Sequence, residues 1–332
     1  MAKTIKTILF ILLLSSFLIS CKGNDAEAAP QPTSTFETLP SPTNAPDRVV
    51  LIAEEGADSW TLEQTNLTLQ ELATASGLEY ETRQSINASE ITADIKVLVF
   101  LSHPNNLGSL SNAAPNTQFI VISDQDWTPS TNVSIIRVDP TYQTFMAGYA
   151  SVMLADNFRS GGILTSEGDT LNIAFRNGAK YFCGLCNALI FPYNNYPLTK
   201  EVSQSATSAE WMQAFNELNL STILFVYIPP QAYSSDLFNY IAQTNVKIIG
   251  ITTPPAEALP LWAGTFLIDG VSPIRDIWND VVAGMGGKTV NASLYLADTQ
   301  AGLISQGRQA LLNQVIDDLQ AGTIYTLDPN AE

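Results

Sequence analysis

Apolar residues fall into two rhythms along this chain. Short, nearly continuous runs rich in β-branched residues recur at Val49-Val50-Leu51-Ile52-Ala53, Val97-Leu98-Val99-Phe100-Leu101, Phe119-Ile120-Val121-Ile122 and Ser134-Ile135-Ile136-Arg137-Val138. Runs of this kind predict strands buried on both faces, as in a parallel sheet. Between them the apolar positions take helical spacing. Residues 61–76 carry Leu62, Leu69, Leu72 and Ala73 and stop before Gly77, and residues 142–158 carry Phe145, Met146, Tyr149, Val152 and Met153. The alternation then restarts, with strands predicted at 162–165, around Val202, at 223–227 and at 246–251. Helices are predicted at 171–187, at 208–218 with Ser208 as N-cap, and at 234–243. Residues 262–326 read as strand, helix, strand and helix. Two βα series in succession predict an α/β fold of two Rossmann-like lobes joined by a hinge. The first lobe is expected at about 48–158 and the second at about 161–255, with the joint at 158–162. Parts of 262–326 are expected to complete both lobes.

The N-terminus follows neither rhythm. Lys3 and Lys6 precede an uncharged apolar stretch, TILFILLLSSFLI, at 7–19. It falls short of the roughly 20 residues a membrane span needs, and has the length and basic flank of a signal peptide. It closes on Leu18-Ile19-Ser20-Cys21, a quartet resembling the bacterial lipobox. Residues 1–20 are therefore expected to be removed, and Cys21 to become a lipidated N-terminus on the extracytoplasmic face of the cell membrane. Residues 21–47 are rich in Pro, Ser, Thr and Ala, with Phe36 as their aromatic residue. Such a segment buries too little apolar surface to offset its chain entropy, and predicts an extended tether.

The charge balance narrows the partners. Fifteen Lys and Arg against 32 Asp and Glu give a net charge of −17, and loss of Lys3 and Lys6 makes it more negative still. That argues against nucleic acid, and against an anionic lipid surface, as a partner of the body. With Cys21 assigned to lipid, Cys183 and Cys186 remain as a CxxC pair in a compartment that permits disulfides. A local disulfide is favoured there. Two free thiols, or redox or metal use, are the alternatives; no histidine or second cysteine pair stands by to complete a zinc site.

In open α/β sheets, ligands bind beyond the carboxyl ends of the strands, and two facing sheets make a cleft between those ends. The segments after the strands, 54–60, 102–106, 124–127, 166–169, 227–230 and 252–255, are where a ligand site is expected. Asp58 reads either as a ligand acceptor or as a cap for the helix that follows, and Trp60 either as a stacking platform or as a core plug. His103, the single histidine, reads as a donor at the cleft or as a lone surface residue. Asp124 reads as a cleft-rim group or as part of a solvated acidic turn with Asp126 and Trp127, and Asp269 as a polar contact. No GxSxG, HExxH, P-loop or GxGxxG motif occurs, so no catalytic residue, metal or cofactor is assigned and enzyme chemistry is not expected.

Several stretches, in order, resemble the BMP (basic membrane lipoprotein) family of ABC-transporter substrate-binding proteins, which includes nucleoside-binding lipoproteins. Gly56-Ala57-Asp58-Ser59-Trp60 stands where that family has a D-x-S-F-N type turn. Phe145-Met146-Ala147-Gly148-Tyr149-Ala150 is similar to its F-L-A-G-Y-L-A helix, and Phe175-Arg176-Asn177-Gly178-Ala179-Lys180 to its F-x-x-G-F-x-x-G-A region. Ile248-Ile249-Gly250-Ile251, Gly302-Leu303-Ile304-Ser305 and the helix ending Gln320-Ala321-Gly322-Thr323-Ile324 follow the same order. The resemblance covers 48–326 and implies a type I periplasmic-binding-protein fold with three crossovers between the lobes. It further implies a small-molecule ligand held by Asp58, Ser59 and Trp60, delivered to ABC permease and ATPase subunits. Thr252 stands where the family commonly has a ribose-binding aspartate. The family's lysine near Asp269 is also missing, so a ligand gripped less through ribose is expected. A membrane-tethered sensor on the same fold is the rival reading.

Overall fold

The structure is a computed structural model and describes residues 45–55 and 59–327; the expected signal segment, Cys21, the tether up to residue 44 and Asp58 lie outside it, as does the side chain of Ser59. Five strands open the chain: β1 (Arg48–Ile52), β2 (Glu79–Arg83), β3 (Ile95–Phe100), β4 (Gln118–Ser123) and β5 (Val133–Arg137). The helices among them are α1 (Ser59–Ala75) and α2 (Leu107–Ala113). A second series follows: α3 (Pro140–Leu154), β6 (Ser160–Thr165), α4 (Asp169–Cys183), β7 (Leu198–Val202), α5 (Ser208–Asn219), β8 (Phe225–Tyr227), α6 (Ser235–Ile241), β9 (Lys247–Gly250) and β10 (Trp262–Asp269). The chain closes with α7 (Ser272–Val282), β11 (Thr289–Asn291), β12 (Ser293–Ala297) and α8 (Gln306–Gln320).

Two six-stranded sheets result, ordered β2-β1-β3-β4-β5-β11 and β7-β6-β8-β9-β10-β12. Every neighbouring pair is parallel except β12, which runs antiparallel to β10 at the edge of the second sheet. Both have the doubly wound order in which the strand sequence reverses beside the first strand of the series. The continuous apolar runs explain the burial. In β1, β3 and β4, Val49, Leu51, Val97, Val99 and Ile120 face α1 and α7. Their alternates Val50, Ile52, Leu98, Phe100 and Val121 face α2. A strand covered on both faces has no polar alternation to show.

Helix α3 corrects the expected boundary. Its Phe145, Met146, Tyr149 and Met153 pack with Leu164, Tyr227, Ile249 and Phe266 of the second sheet. The first crossover therefore lies between β5 and α3, near Val138 and Asp139, rather than at 158–162. The pattern of α3 is apolar nearly all round, which says that it is buried but not beneath which sheet. The other crossovers lie between β10 and α7, and at Ala292 between β11 and β12, since Ile274, Ile277, Trp278 and Val281 of α7 return to the first sheet. The chain thus passes between the sheets three times, as the resemblance implied.

Helix α4 ends at Cys183, four residues earlier than expected, because Gly184 takes a left-handed φ of 66° as its cap. Cys183 and Cys186 are disulfide-bonded across that end, with Cα atoms 5.1 Å apart. The cap of α5 is Thr207 rather than Ser208, in a capping box with Glu210. Among the described residues no helix is long and apolar enough to cross a membrane.

Candidate functional site

The carboxyl ends of both sheets open onto one cleft of about 560 Å³. The first sheet supplies Glu54 and Glu55 after β1, Leu101 and Ser102 after β3, and Ile122 at the end of β4. Trp60 and Thr61 come from the first turn of α1. The second sheet supplies Ile251, Thr252 and Thr253 after β9, and Leu267 and Ile268 of β10. Val138, Gly270 and Gln143 close the crossover side. A smaller cavity of about 330 Å³ shares Ile251 and extends along the second sheet past Glu167, Asp169, Gln204 and Tyr227.

The sequence placed Trp60 and Thr252 in a ligand site, and the structure brings both to this cleft. Trp60 is held there because α1 begins at the cleft edge immediately after β1, and both residues are only partly buried. The other expected groups are spread elsewhere. His103 leans on the Trp127 ring, centroids 5.0 Å apart, with Nδ1 3.4 Å from Ser123 Oγ. Asp124 lines a separate polar cavity at the crossovers, with Asp126, Asp139 and Arg137, and Arg137 is ion-paired with Asp126. Asp269 is turned into the chain. Its Oδ1 accepts from the amides of Val271 and Ser272, at 2.8 and 2.9 Å, and so fixes the turn into α7.

Gln143 was not anticipated. It stands on the first turns of α3, and its Nε2 donates to the carbonyls of Ile251 and Phe266, at 2.9 and 2.7 Å. One side chain thus ties the ends of β9 and β10 to the crossover helix, and it still faces the cleft. Nothing in the pattern 140–154 marks it beyond being polar among buried neighbours. Tyr233 donates from its hydroxyl to the Thr252 carbonyl at 3.4 Å, and burial pushes that phenol far above its usual range, so it stays protonated.

The electrostatics are one-sided. Glu54 and Glu55 are exposed at the cleft and no described residue pairs with them, and the described residues that line the cleft include no Lys, Arg or His. In the smaller cavity, hydrogen bonds from the Gln204 amide and then the Ser203 hydroxyl hold the Glu167 carboxylate below the ordinary range. Its charge at neutral pH is therefore secure. Among the described residues no His, Cys, Asp and Glu group has the arrangement of a metal site.

No protein-family model and no curated protein matches the chain. Solved structures do. An ABC transporter solute-binding protein from Conexibacter woesei is 13% identical, covers 86% of this chain and 100% of its own, and has a TM-score of 0.58. A transcriptional activator of the comK gene from Bacillus halodurans is 10% identical, with coverages of 84% and 99% and a TM-score of 0.61. A glucose-galactose binding protein from Geobacillus stearothermophilus is 15% identical, with coverages of 77% and 98% and a TM-score of 0.51. With the two parallel-dominated sheets and their shared cleft, these likenesses define the chain as having the periplasmic-binding-protein fold.

Proposed function

We propose that the protein is a membrane-anchored, extracytoplasmic solute-binding lipoprotein of an ABC uptake system. It closes its two lobes on a small ligand and hands it to a permease. The observation that carries this reading is the cleft itself. It is fed by the carboxyl ends of both sheets, and Trp60 from one side and Thr252 from the other converge on it. The names of several structural neighbours point the same way. The ligand is small, polar and not anionic, because Glu54 and Glu55 would repel a phosphate or carboxylate and the lining offers no cation to offset them. Trp60 supplies an aromatic face for a flat or sugar-like ring. Thr252 has no charge with which to grip two vicinal hydroxyls, so ribose adds little and a free base binds nearly as well as its nucleoside. Cys21 carries the lipid.

The same fold in a transcriptional activator supports a second reading, a tethered sensor that closes without transport. A thermal-shift screen of nucleosides, bases and sugars tests ligand binding, since a ligand at 100 times its dissociation constant adds roughly 2.7 kcal/mol. Uptake of the hit by cells with and without the protein then separates transport from sensing. If no neutral or cationic small molecule shifts the unfolding midpoint, the solute-binding reading fails.

A further inference from the structure

The far edge of the second sheet, where its parallel strands begin, carries a feature that ligand binding does not use. Between α4 and β7 the chain makes a loop, residues 184–197, and from 181 in the last turn of α4 to its end there is no charged side chain. Its large apolar groups point outward: Leu189 is 82% exposed, Phe191 75%, Tyr193 74% and Leu185 69%. Leu220, in the neighbouring turn between α5 and β8, is 78% exposed.

The loop is built rather than loose. Cys186, Ala188 and Tyr196 are buried in the core of the second lobe. The Cys183–Cys186 disulfide and a bridge between Asn187 and Asn195 close its base. The Tyr196 hydroxyl donates to Ser221 O at 3.1 Å, and Arg159 Nη2 donates to Phe191 O at 2.7 Å. Inward residues thus hold the outward ones in place, at little further entropy cost on docking.

The charges at this edge reverse the balance of the chain. Among the described residues, every Lys and Arg is ion-paired except Arg159, Lys180, Lys247 and Arg308. All four stand here. Arg159 immediately precedes β6, Lys180 is in the last turn of α4, and Lys247 begins β9. Arg308 reaches the carbonyl of Leu154 at the end of α3. Asp156, three residues before Arg159, also stands at this edge, and Glu217 near the end of α5 is ion-paired with Lys200.

We infer that this edge is a membrane-docking surface, with the apolar loop entering the headgroup region of an anionic bilayer and the unpaired cations meeting the lipid phosphates. Aliphatic and aromatic groups rimmed by Lys and Arg are the composition that lies in such an interface. The net charge of the chain argued against an anionic surface, but the charge that decides docking is local, within about 8 Å at physiological salt. The inference does not depend on what the cleft binds.

The test uses the full exported chain with Phe191→Trp, placed with vesicles of phosphatidylcholine and phosphatidylglycerol bearing brominated acyl chains. A second variant, Leu67→Trp on the exposed face of α1, is the control. Docking predicts loss of the added emission for Phe191→Trp and none for the control, with weaker quenching in vesicles of phosphatidylcholine alone. Combining Leu189→Ser with Phe191→Ser in the Cys21→Ala chain should lower vesicle partition at least about tenfold. Both residues are exposed, so an unchanged unfolding midpoint is expected and excludes misfolding. Unquenched emission from Phe191→Trp overturns the inference. So does cross-linking from this loop to a second copy in place of lipid contact. Equal flotation of the wild-type and Cys21→Ala chains, with quenching retained, would keep the docking surface and remove the lipid anchor alone.

Discussion

At the scale of single residues, Trp60 separates the functional reading from a structural one. It lies at the cleft and is only partly buried, so removing it should leave the core intact. A stacked aromatic is worth on the order of 1–3 kcal/mol in base-binding sites, so Trp60→Ala should weaken ligand binding about five- to 150-fold in calorimetry, with the unfolding midpoint nearly unchanged. Unaltered affinity would remove Trp60 from the site. Gly148 and Gly178 make the opposite case. A Cβ on Gly148 would run into the carbonyl of Phe175, and one on Gly178 into the carbonyl of Phe145. The two glycines are therefore what lets α3 and α4 cross backbone to backbone. Each lies in a stretch read at first as a family signature, and the signature proves to be a packing requirement. Gly178→Ala should destabilise the protein by about 1–3 kcal/mol in urea unfolding, and a midpoint equal to wild type would contradict the close crossing.

At the scale of elements, the buried strands were legible because both of their faces are apolar: β3 reads IKVLVF and β4 QFIVIS. Strand β2, EYETR, was not legible, being an edge strand held by charges as much as by packing. Arg48 of β1 donates to Asp94 at 2.6 Å and to Glu81 of β2 at 2.9 Å, and Arg83 meets Glu81 at 2.7 Å. The hydrogen bond from Arg83 holds the Glu81 carboxylate below its ordinary range. Hydrogen bonds from Thr92, then from the backbone and Arg48, do the same for Asp94. Lowered carboxylate pKa values stabilise the fold above the unfolded-state pKa, and that stabilisation is lost as pH falls through the folded values. Arg48→Met should therefore lower the unfolding midpoint at neutral pH by more than at pH below the ordinary carboxylate range. The side chains of these pairs are partly exposed, so solvent screens them and the whole effect should come to about 1 kcal/mol. A difference that does not shrink in acid would show that the arginine acts by packing alone. Helix α2, LGSLSNA, escaped for another reason, since seven residues give less than two full periods to read.

At the scale of the whole molecule, the fold class followed from the alternation of strands and helices. Which helix covers which sheet did not, because an apolar face carries no address. The cleft was legible to the extent that topology fixes it, at the strand ends. Gln143, and the lack of any described partner for Glu54 and Glu55, emerge only once the chain passes between the sheets. The proposed anchor belongs to this scale too. One acyl chain binds membranes marginally and two hold firmly, so Cys21→Ala should move the protein from the membrane pellet toward the soluble fraction, less completely if the apolar loop also docks. Wild type and variant that pellet alike, with the loop serines also in place, would leave the protein with neither attachment.

The three crossovers also govern how the chain can be made. Strand β11 completes the edge of the first sheet and β12 the edge of the second, and only Ala292 separates them; α8 then seals the second core. A nascent chain that has emerged as far as α7 therefore consists of two unfinished halves, each with an open strand edge of the kind that recruits wrong partners. Folding half by half during synthesis, the usual economy of large chains, is closed to this one, and a stop codon just before Thr289 should cost both halves together.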